Sequence, residues 1–172
     1  EGVDAFLVTT PANLRYLSGF TSADGALLIS ADRFFLATDF RYYEQVEREA
    51  PCVELFKVDK PIAAAYEDLF TAAKVRRLAF ESTHLTYARY QELAAISGIE
   101  LLPVKGWVEE LRAVKTPEEL ALMRRAVAIS DAVIAALPQI LQPGMTEKQL
   151  AWEVEAFMHD RGADDVAFPI IA

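Results

Sequence analysis

Short apolar runs alternate with helical segments through residues 1–106, and this alternation most restricts the fold that the chain can adopt. Runs typical of strands occupy 4–9, 26–29, 34–37, 52–58, 77–80 and 99–104. Segments with helical spacing lie at 39–50, 62–73 and 86–96. Strands separated by helices of about ten residues are typical of an α/β fold, whereas a polar turn joins two of the runs into an antiparallel hairpin. We therefore predict an α/β domain with a mixed sheet flanked by helices.

The pattern becomes helical after Gly106. Residues Thr116–Glu119 have the spacing of a capping box with proline at the first helical position, and Thr146–Gln149 form a second capping box. The first helix is expected to kink or end near Pro138, and 166–171 are expected to begin a strand. The sequence thus predicts two domains, at 1–106 and 107–172, of which the second is incomplete. The start at Glu1, without an initiator Met, indicates a trimmed N-terminus.

Charge and composition exclude several functional classes. The formal net charge is −9, and an acidic chain is poorly suited to bind the phosphate backbone of nucleic acids. No apolar run reaches the ~18–20 residues that span a bilayer, so we expect no membrane contact. One cysteine allows no intramolecular disulfide. Together with the missing signal segment, this favours a cytoplasmic protein.

The sequence contains no complete catalytic constellation. Its two histidines, His84 and His159, have no His or Cys neighbour at the spacing of metal ligands. Asp164 and Asp165 would point to opposite faces of a strand and so could not easily hold one ion together. Cys52 begins an apparent core strand and is expected to be a small buried hydrophobe. We therefore expect neither a metal ligand nor a catalytic residue in this chain.

Two polar clusters remain as candidate binding elements. The first, residues 13–20, places Asn, Arg and Tyr before a glycine turn and a polar loop, and the second, residues 38–42, lies where a strand meets a helix. In one interpretation Asp39 caps the helix and Arg41 pairs with a surface carboxylate. In the other, the clusters form a polar rim that contacts a ligand or another subunit.

At these clusters the sequence resembles the N-terminal domain of Xaa-Pro aminopeptidases and prolidases. Other segments resemble the entry into the family's catalytic domain, its next helix and its first strand. The matching segments are 13–20, 38–42, 111–119, 143–147, 162–163, Phe168 and 170–172. Their order and spacing cover essentially the whole chain. The resemblance implies a creatinase-like α/β domain followed by the truncated helical start of a pita-bread domain.

The resemblance also implies hydrolysis of the peptide bond before proline. The family uses two divalent metal ions, usually manganese, cobalt or zinc, held by two Asp, one His and two Glu, and all five are expected downstream of Ala172. We therefore predict that this chain alone is inactive. Family members use the N-terminal domain for homodimerisation, with loops that can reach a partner's active site. The resemblance therefore implies that Asp24, Asp39 and Arg41 are substrate-binding or cross-subunit residues.

Two other functions stay open at this stage. The chain could belong to a non-catalytic dimerisation or interaction module that has lost its metal ligands. It could also belong to an enzyme that runs another reaction on the same fold, such as a creatinase-like amidinohydrolase. Retention of the five metal ligands downstream would favour the peptidase over the non-catalytic module.

Overall fold

A computed structural model describes residues 2–171, which divide into one unit ending at Ala113 and a second unit beginning at Val114. The helix that follows Gly106 therefore belongs to the first unit. The elements of the first unit are β1 (Ala5–Val8), α1 (Pro11–Ser18), β2 (Ala26–Ser30), β3 (Phe34–Asp39), α2 (Tyr43–Glu49), β4 (Glu54–Val58), α3 (Tyr66–Ala72), β5 (Arg77–Glu81), α4 (Tyr87–Ala94), β6 (Glu100–Val104) and α5 (Trp107–Ala113). Two 3₁₀ turns, Phe40–Tyr42 and Ile62–Ala65, precede α2 and α3.

The six strands form one mixed sheet in the order β4-β3-β2-β1-β5-β6. Strand β2 runs antiparallel to both of its neighbours, and the other pairs are parallel. The predicted α/β class and the hairpin between β2 and β3 are therefore confirmed. This topology places the carboxyl ends of β1, β3, β4, β5 and β6 at one edge, where open α/β sheets usually carry their ligands.

Hydrophobic clusters cover both faces of the sheet. Successive residues of a strand point to opposite faces, so Leu7 belongs to one cluster and Val8 to the other, and Leu28 and Leu27 divide in the same way. Helices α3 and α4 contribute to the first cluster, and α1 and α2 contribute to the second. The short runs that predicted strands are apolar because most of their side chains are buried between these layers.

One element of this unit was not predicted, and one expectation is wrong. Residues 11–18 form a helix, with proline in the first turn and Gly19 as a left-handed cap, where the sequence indicated only a polar cluster before a glycine turn. Cys52 is exposed and not buried. It lies in a turn, because the pairing of β4 with β3 begins only at Glu54.

The second unit contains α6 (Pro117–Ile140) and α7 (Glu147–Asp160), which pack against each other. Both predicted capping boxes are present. Pro138 lies inside the last turn of α6, which ends soon after it. The strand expected at 166–171 does not form, since the second unit has no strand among its described residues with which that segment could pair. Position 172 lies outside the described residues.

Neither long helix could cross a bilayer: among residues 2–171, no helix is both long and apolar enough to do so.

Candidate functional site

The polar loop at residues 21–25 is fixed at both ends. At its start, the Glu49 carboxylate accepts hydrogen bonds from the Thr21 amide at 3.0 Å and the Thr21 hydroxyl at 2.9 Å. Gln45 donates to the same carboxylate at 2.9 Å. At the far end, the Thr38 hydroxyl donates to the Asp24 carbonyl at 2.6 Å. The side-chain bond from Gln45 and the backbone bond from Thr21 lower the pKa of Glu49 to about 2.

Gly19 sets the direction in which the chain enters this loop. Its φ of 82° is left-handed, and a Cβ at this position would lie 2.9 Å from the backbone oxygen of Glu49. Both conditions require glycine. The approach of α1 to the end of α2 therefore depends on the glycine turn that follows the first polar cluster.

Asp39 and Arg41 form a local ion pair at the carboxyl end of β3. Asp39 Oδ1 accepts hydrogen bonds from the Arg41 amide at 3.0 Å and from its Nε at 2.9 Å, and Oδ2 accepts from Nη2 at 2.7 Å. Asp39 therefore caps the 3₁₀ turn Phe40–Tyr42. The bidentate contact lowers the pKa of Asp39 and raises that of Arg41.

The structure brings all three candidate residues together. Arg41 Nη2 lies 3.3 Å from Asp24 Oδ2, and the Tyr42 hydroxyl donates to the same oxygen at 2.8 Å. The Tyr42 ring meets Phe20 edge to face, with centroids 6.0 Å apart. Tyr42 belongs to the second polar cluster but was not singled out as a site residue. We name Asp24, Asp39, Arg41 and Tyr42 the loop cluster.

The loop cluster borders an open cleft of about 410 Å³ at the carboxyl edge of the sheet. Other parts of the lining come from the segment before the 3₁₀ turn Ile62–Ala65, from the start of that turn, from α3 and from α4. The lining residues are Thr9, Ala23, Asp24, Gly25, Asp39, Arg41, Lys60, Pro61, Ile62, Ala63, Tyr66 and Arg89. The loop cluster is therefore one wall of a concave site and not an isolated surface patch.

A second polar network, centred on Asn13, was not predicted. Asn13 is fully buried, and its Nδ2 donates to Glu81 Oε1 at 2.6 Å and to Glu109 Oε1 at 2.7 Å. Its Oδ1 accepts from Arg112 Nη1 at 2.8 Å. The hydrogen bond from Asn13 is the largest of the effects that lower the pKa of Glu109. Because Glu109 and Arg112 belong to α5, the network attaches this helix to the sheet.

The other titratable residues considered in the sequence do not form a site. His84 is exposed between β5 and α4. His159 is exposed in the last turn of α7, where its Nδ1 lies 2.9 Å from the Ala163 carbonyl. Asp165 accepts a hydrogen bond from the following backbone amide at 2.7 Å. Within residues 2–171, no three His, Cys, Asp or Glu side chains are grouped so that they could hold a metal ion.

Comparisons of this chain with family models and with curated proteins agree on one family. Residues 1–114 match the creatinase/prolidase N-terminal domain, and residues 121–172 match metallopeptidase family M24. The chain is 34% identical to the uncharacterized peptidase YqhT of Bacillus subtilis, over 99% of this chain and 48% of that protein. It is 29% identical to the Xaa-Pro dipeptidase of Pyrococcus furiosus, over 99% of this chain and 48% of that protein.

Solved structures support the same assignment. The Xaa-Pro dipeptidase from Bacillus anthracis superposes with a TM-score of 0.88 at 32% identity, covering 97% of this chain and 47% of that one. The X-Pro aminopeptidase from Thermotoga maritima gives 0.86 at 28% identity, covering 98% of this chain and 49% of that one. The chain thus spans about half the length of the relatives that it matches. It belongs to the creatinase/prolidase family, with a creatinase/prolidase N-terminal domain followed by a segment of the M24 metallopeptidase family.

Proposed function

We propose that the chain is the N-terminal portion of a metal-dependent peptidase that hydrolyses the bond before proline. The supporting observation is the match over nearly the whole chain to Xaa-Pro dipeptidases and aminopeptidases, of which it spans about half. The proposed substrates of the full-length protein are Xaa-Pro dipeptides or longer peptides with proline in second position. We further propose a cytoplasmic enzyme that binds no nucleic acid, in keeping with its single cysteine and acidic charge.

The proposed cofactor is a pair of divalent metal ions, with manganese, cobalt and zinc as the candidates. In such a site the metals supply a bridging hydroxide as nucleophile and polarise the scissile carbonyl. The described residues do not fit this metal pair, since no suitable group of ligands lies within 2–171. We therefore assign no ligand to this chain and derive no catalytic step from it.

For the part of the protein described here, we propose a supporting role at the loop cluster. Asp24, Asp39 and Arg41 would contact the substrate or a second subunit in a homodimer. Arg41 and Asp24 are each 53% exposed, and hydrogen bonds hold them in one arrangement. A rigid, exposed polar surface loses little conformational entropy on contact, which suits a positioning role.

The test uses the full-length protein and the 172-residue chain in parallel. After chelation, each is assayed on Ala-Pro and on Ala-Pro-Ala, with Ala-Ala as the control dipeptide, and manganese, cobalt and zinc are restored separately. We expect the full-length protein to cleave only the proline substrates and only after metal is restored, and the 172-residue chain to remain inactive. Absence of cleavage by the full-length protein with every metal would contradict the peptidase assignment and favour the non-catalytic module.

The role of the loop cluster has its own test in the full-length protein. We expect Arg41→Ala to lower kcat/KM for the proline substrates at least tenfold, or to shift the dimer towards monomer in sedimentation. The control is Lys105→Gln, which removes one positive charge from an exposed site outside the cleft. Unchanged kinetics and unchanged oligomeric state in Arg41→Ala would refute this role.

A further inference from the structure

We propose that the cleft beside the loop cluster binds a small organic acid, with its carboxylate held by Arg41, Lys60 and Arg89 and its apolar body against the apolar part of the lining. This inference takes the loop cluster of the proposed function as one wall of the site, but it does not depend on peptidase activity. The position agrees with the usual location of ligand sites in open α/β sheets, because the cleft lies outside the carboxyl ends of β1, β3 and β4.

Three cationic side chains from three separate segments converge on this cleft. Arg41 follows β3, Lys60 follows β4, and Arg89 belongs to α4. The lining residues carry a formal charge of +3 from these cations and −2 from Asp24 and Asp39, which gives +1. Lys60 and Arg89 also pair with Asp68 and Glu92 outside the lining, each at 2.7 Å. An anionic ligand would therefore be recognised by the N–H donors that the three cations keep, and not by a net positive charge.

The cations keep hydrogen-bond donors for a ligand. Lys60 Nζ donates one hydrogen bond to Asp68 at 2.7 Å, and Arg89 Nη1 donates one to Glu92 at 2.7 Å. An ammonium has three N–H donors and a guanidinium has five, so both groups can bind a second acceptor. Neither Asp68 nor Glu92 lines the cleft, and the side chains of Lys60 and Arg89 are 42% and 50% exposed.

The acidic groups of the cleft, by contrast, are already engaged. Both oxygens of Asp39 accept bonds from Arg41, and Asp24 Oδ2 accepts from Tyr42 and Arg41. Binding a ligand's ammonium group through these oxygens would require those bonds to be shared or broken. Unused donors on the three cations therefore outnumber the unused acceptor positions on the two carboxylates, which favours a carboxylate ligand over a cationic one.

The remaining wall is apolar. Pro61, Ile62, Ala63 and the buried ring of Tyr66 form it. A volume of about 410 Å³ lies in the range of small-molecule sites, which combine apolar lining with a few polar groups. An inorganic anion would leave this wall without a contact. The geometry therefore favours an acid with an apolar body of a few carbon atoms.

Titration of the 172-residue chain, followed by calorimetry and by amide chemical shifts, tests the inference with four probes. They are N-acetyl-leucine, its uncharged amide, acetate and inorganic phosphate. We expect saturable binding of N-acetyl-leucine with shifts at residues lining the cleft, and at least tenfold weaker binding of the other three. Lys60→Gln and Arg89→Gln should each weaken N-acetyl-leucine at least fivefold, whereas Lys105→Gln should leave it unchanged.

Each contrary result has a distinct meaning. Equal binding of the acid and its amide, or binding unaffected by Lys60→Gln and Arg89→Gln, would overturn the assignment of an anion site. Acetate or phosphate binding as tightly as N-acetyl-leucine would overturn the apolar half of the site. Thermal unfolding of each variant shows whether it is folded, and Arg89→Lys, which retains the charge, should recover part of the lost affinity. None of these readouts uses cleavage, so failure of the peptidase assignment is detected separately.

Discussion

Asn13 donates a hydrogen bond to the buried carboxylate of Glu81 at 2.6 Å, although 68 residues separate the two in the chain. The other oxygen of Glu81 accepts the backbone amides of Thr9 and Thr10, each at 2.7 Å. A buried carboxylate is tolerated only when such bonds replace its hydration. This contact therefore joins β1, α1 and β5, and the second Asn13 bond extends the connection to α5.

Asn13→Ala should lower the free energy of unfolding by about 3 kcal/mol, since it removes bonds to charged groups and leaves buried partners unsatisfied. Urea unfolding of the 172-residue chain measures the change. Arg15→Ala alters an exposed residue of the same helix and should cost no more than ~0.5 kcal/mol. Equal destabilisation by both variants would show that the buried network contributes no more to the free energy of unfolding than an exposed side chain does.

Gly19→Ala should destabilise the chain by about 2–3 kcal/mol, because a left-handed φ and a Cβ close to the Glu49 carbonyl act together. The matched control is Gly98→Ala, where φ is 80° but nothing lies within 4 Å of the added Cβ. That variant should cost only about 1 kcal/mol. If the two variants lose the same free energy of unfolding, the backbone near Glu49 must move to accommodate the added Cβ without cost.

The stability of the chain should depend on Glu49 in acid. Its folded pKa of about 2 lies below its ordinary value of 4.5, so the folded state binds the proton less readily than the unfolded state. The stabilisation is therefore complete above pH ~5 and is lost as the pH falls from about 4.5 towards 2. In urea unfolding between pH 7 and pH 2.5, the stability gap between the wild-type chain and Glu49→Gln should narrow in that window.

Glu47→Gln serves as the control for the acid titration, since Glu47 is exposed on the same helix. Its stability should follow that of the wild-type chain across the whole range. A gap between wild type and Glu49→Gln that stays constant down to pH 2.5 would contradict the assigned role of Glu49.

The second unit should promote self-association of the 172-residue chain. Leu122, Val127 and Ile134 of α6 are 62%, 58% and 67% exposed, and exposed apolar surface of this kind favours association. Light scattering should show a mass that rises with concentration. Ile134→Glu should reduce the effect, whereas Gln139→Glu, which adds the same charge at an exposed polar position, should not.

Local unfolding of α6 is the alternative response to the same exposed surface, and hydrogen exchange measures it. A chain that stays monomeric at all concentrations, with full amide protection along Pro117–Ile140, would contradict both forms of this prediction.

The features set by neighbouring residues were predictable from the sequence. Apolar runs and helical spacing identified the α/β sheet and its hairpin, and both capping boxes formed as their spacing required. Asp39 capped its turn for the same reason, since the contact spans two residues. The resemblance to Xaa-Pro peptidases also rested on local motifs, and the comparisons confirm the family.

No local sequence pattern predicted the contacts between segments that lie far apart in the chain. A strand needs a partner, so the apolar run 166–171 alone did not produce one, and Cys52 was misjudged because burial depends on where the pairing of β4 begins. Local patterns were sufficient to identify most element types, the helix caps and the family. The contact of Asn13 with Glu81 and the shared cleft of Arg41, Lys60 and Arg89 arise only in the folded chain, because the order of the strands brings these segments together.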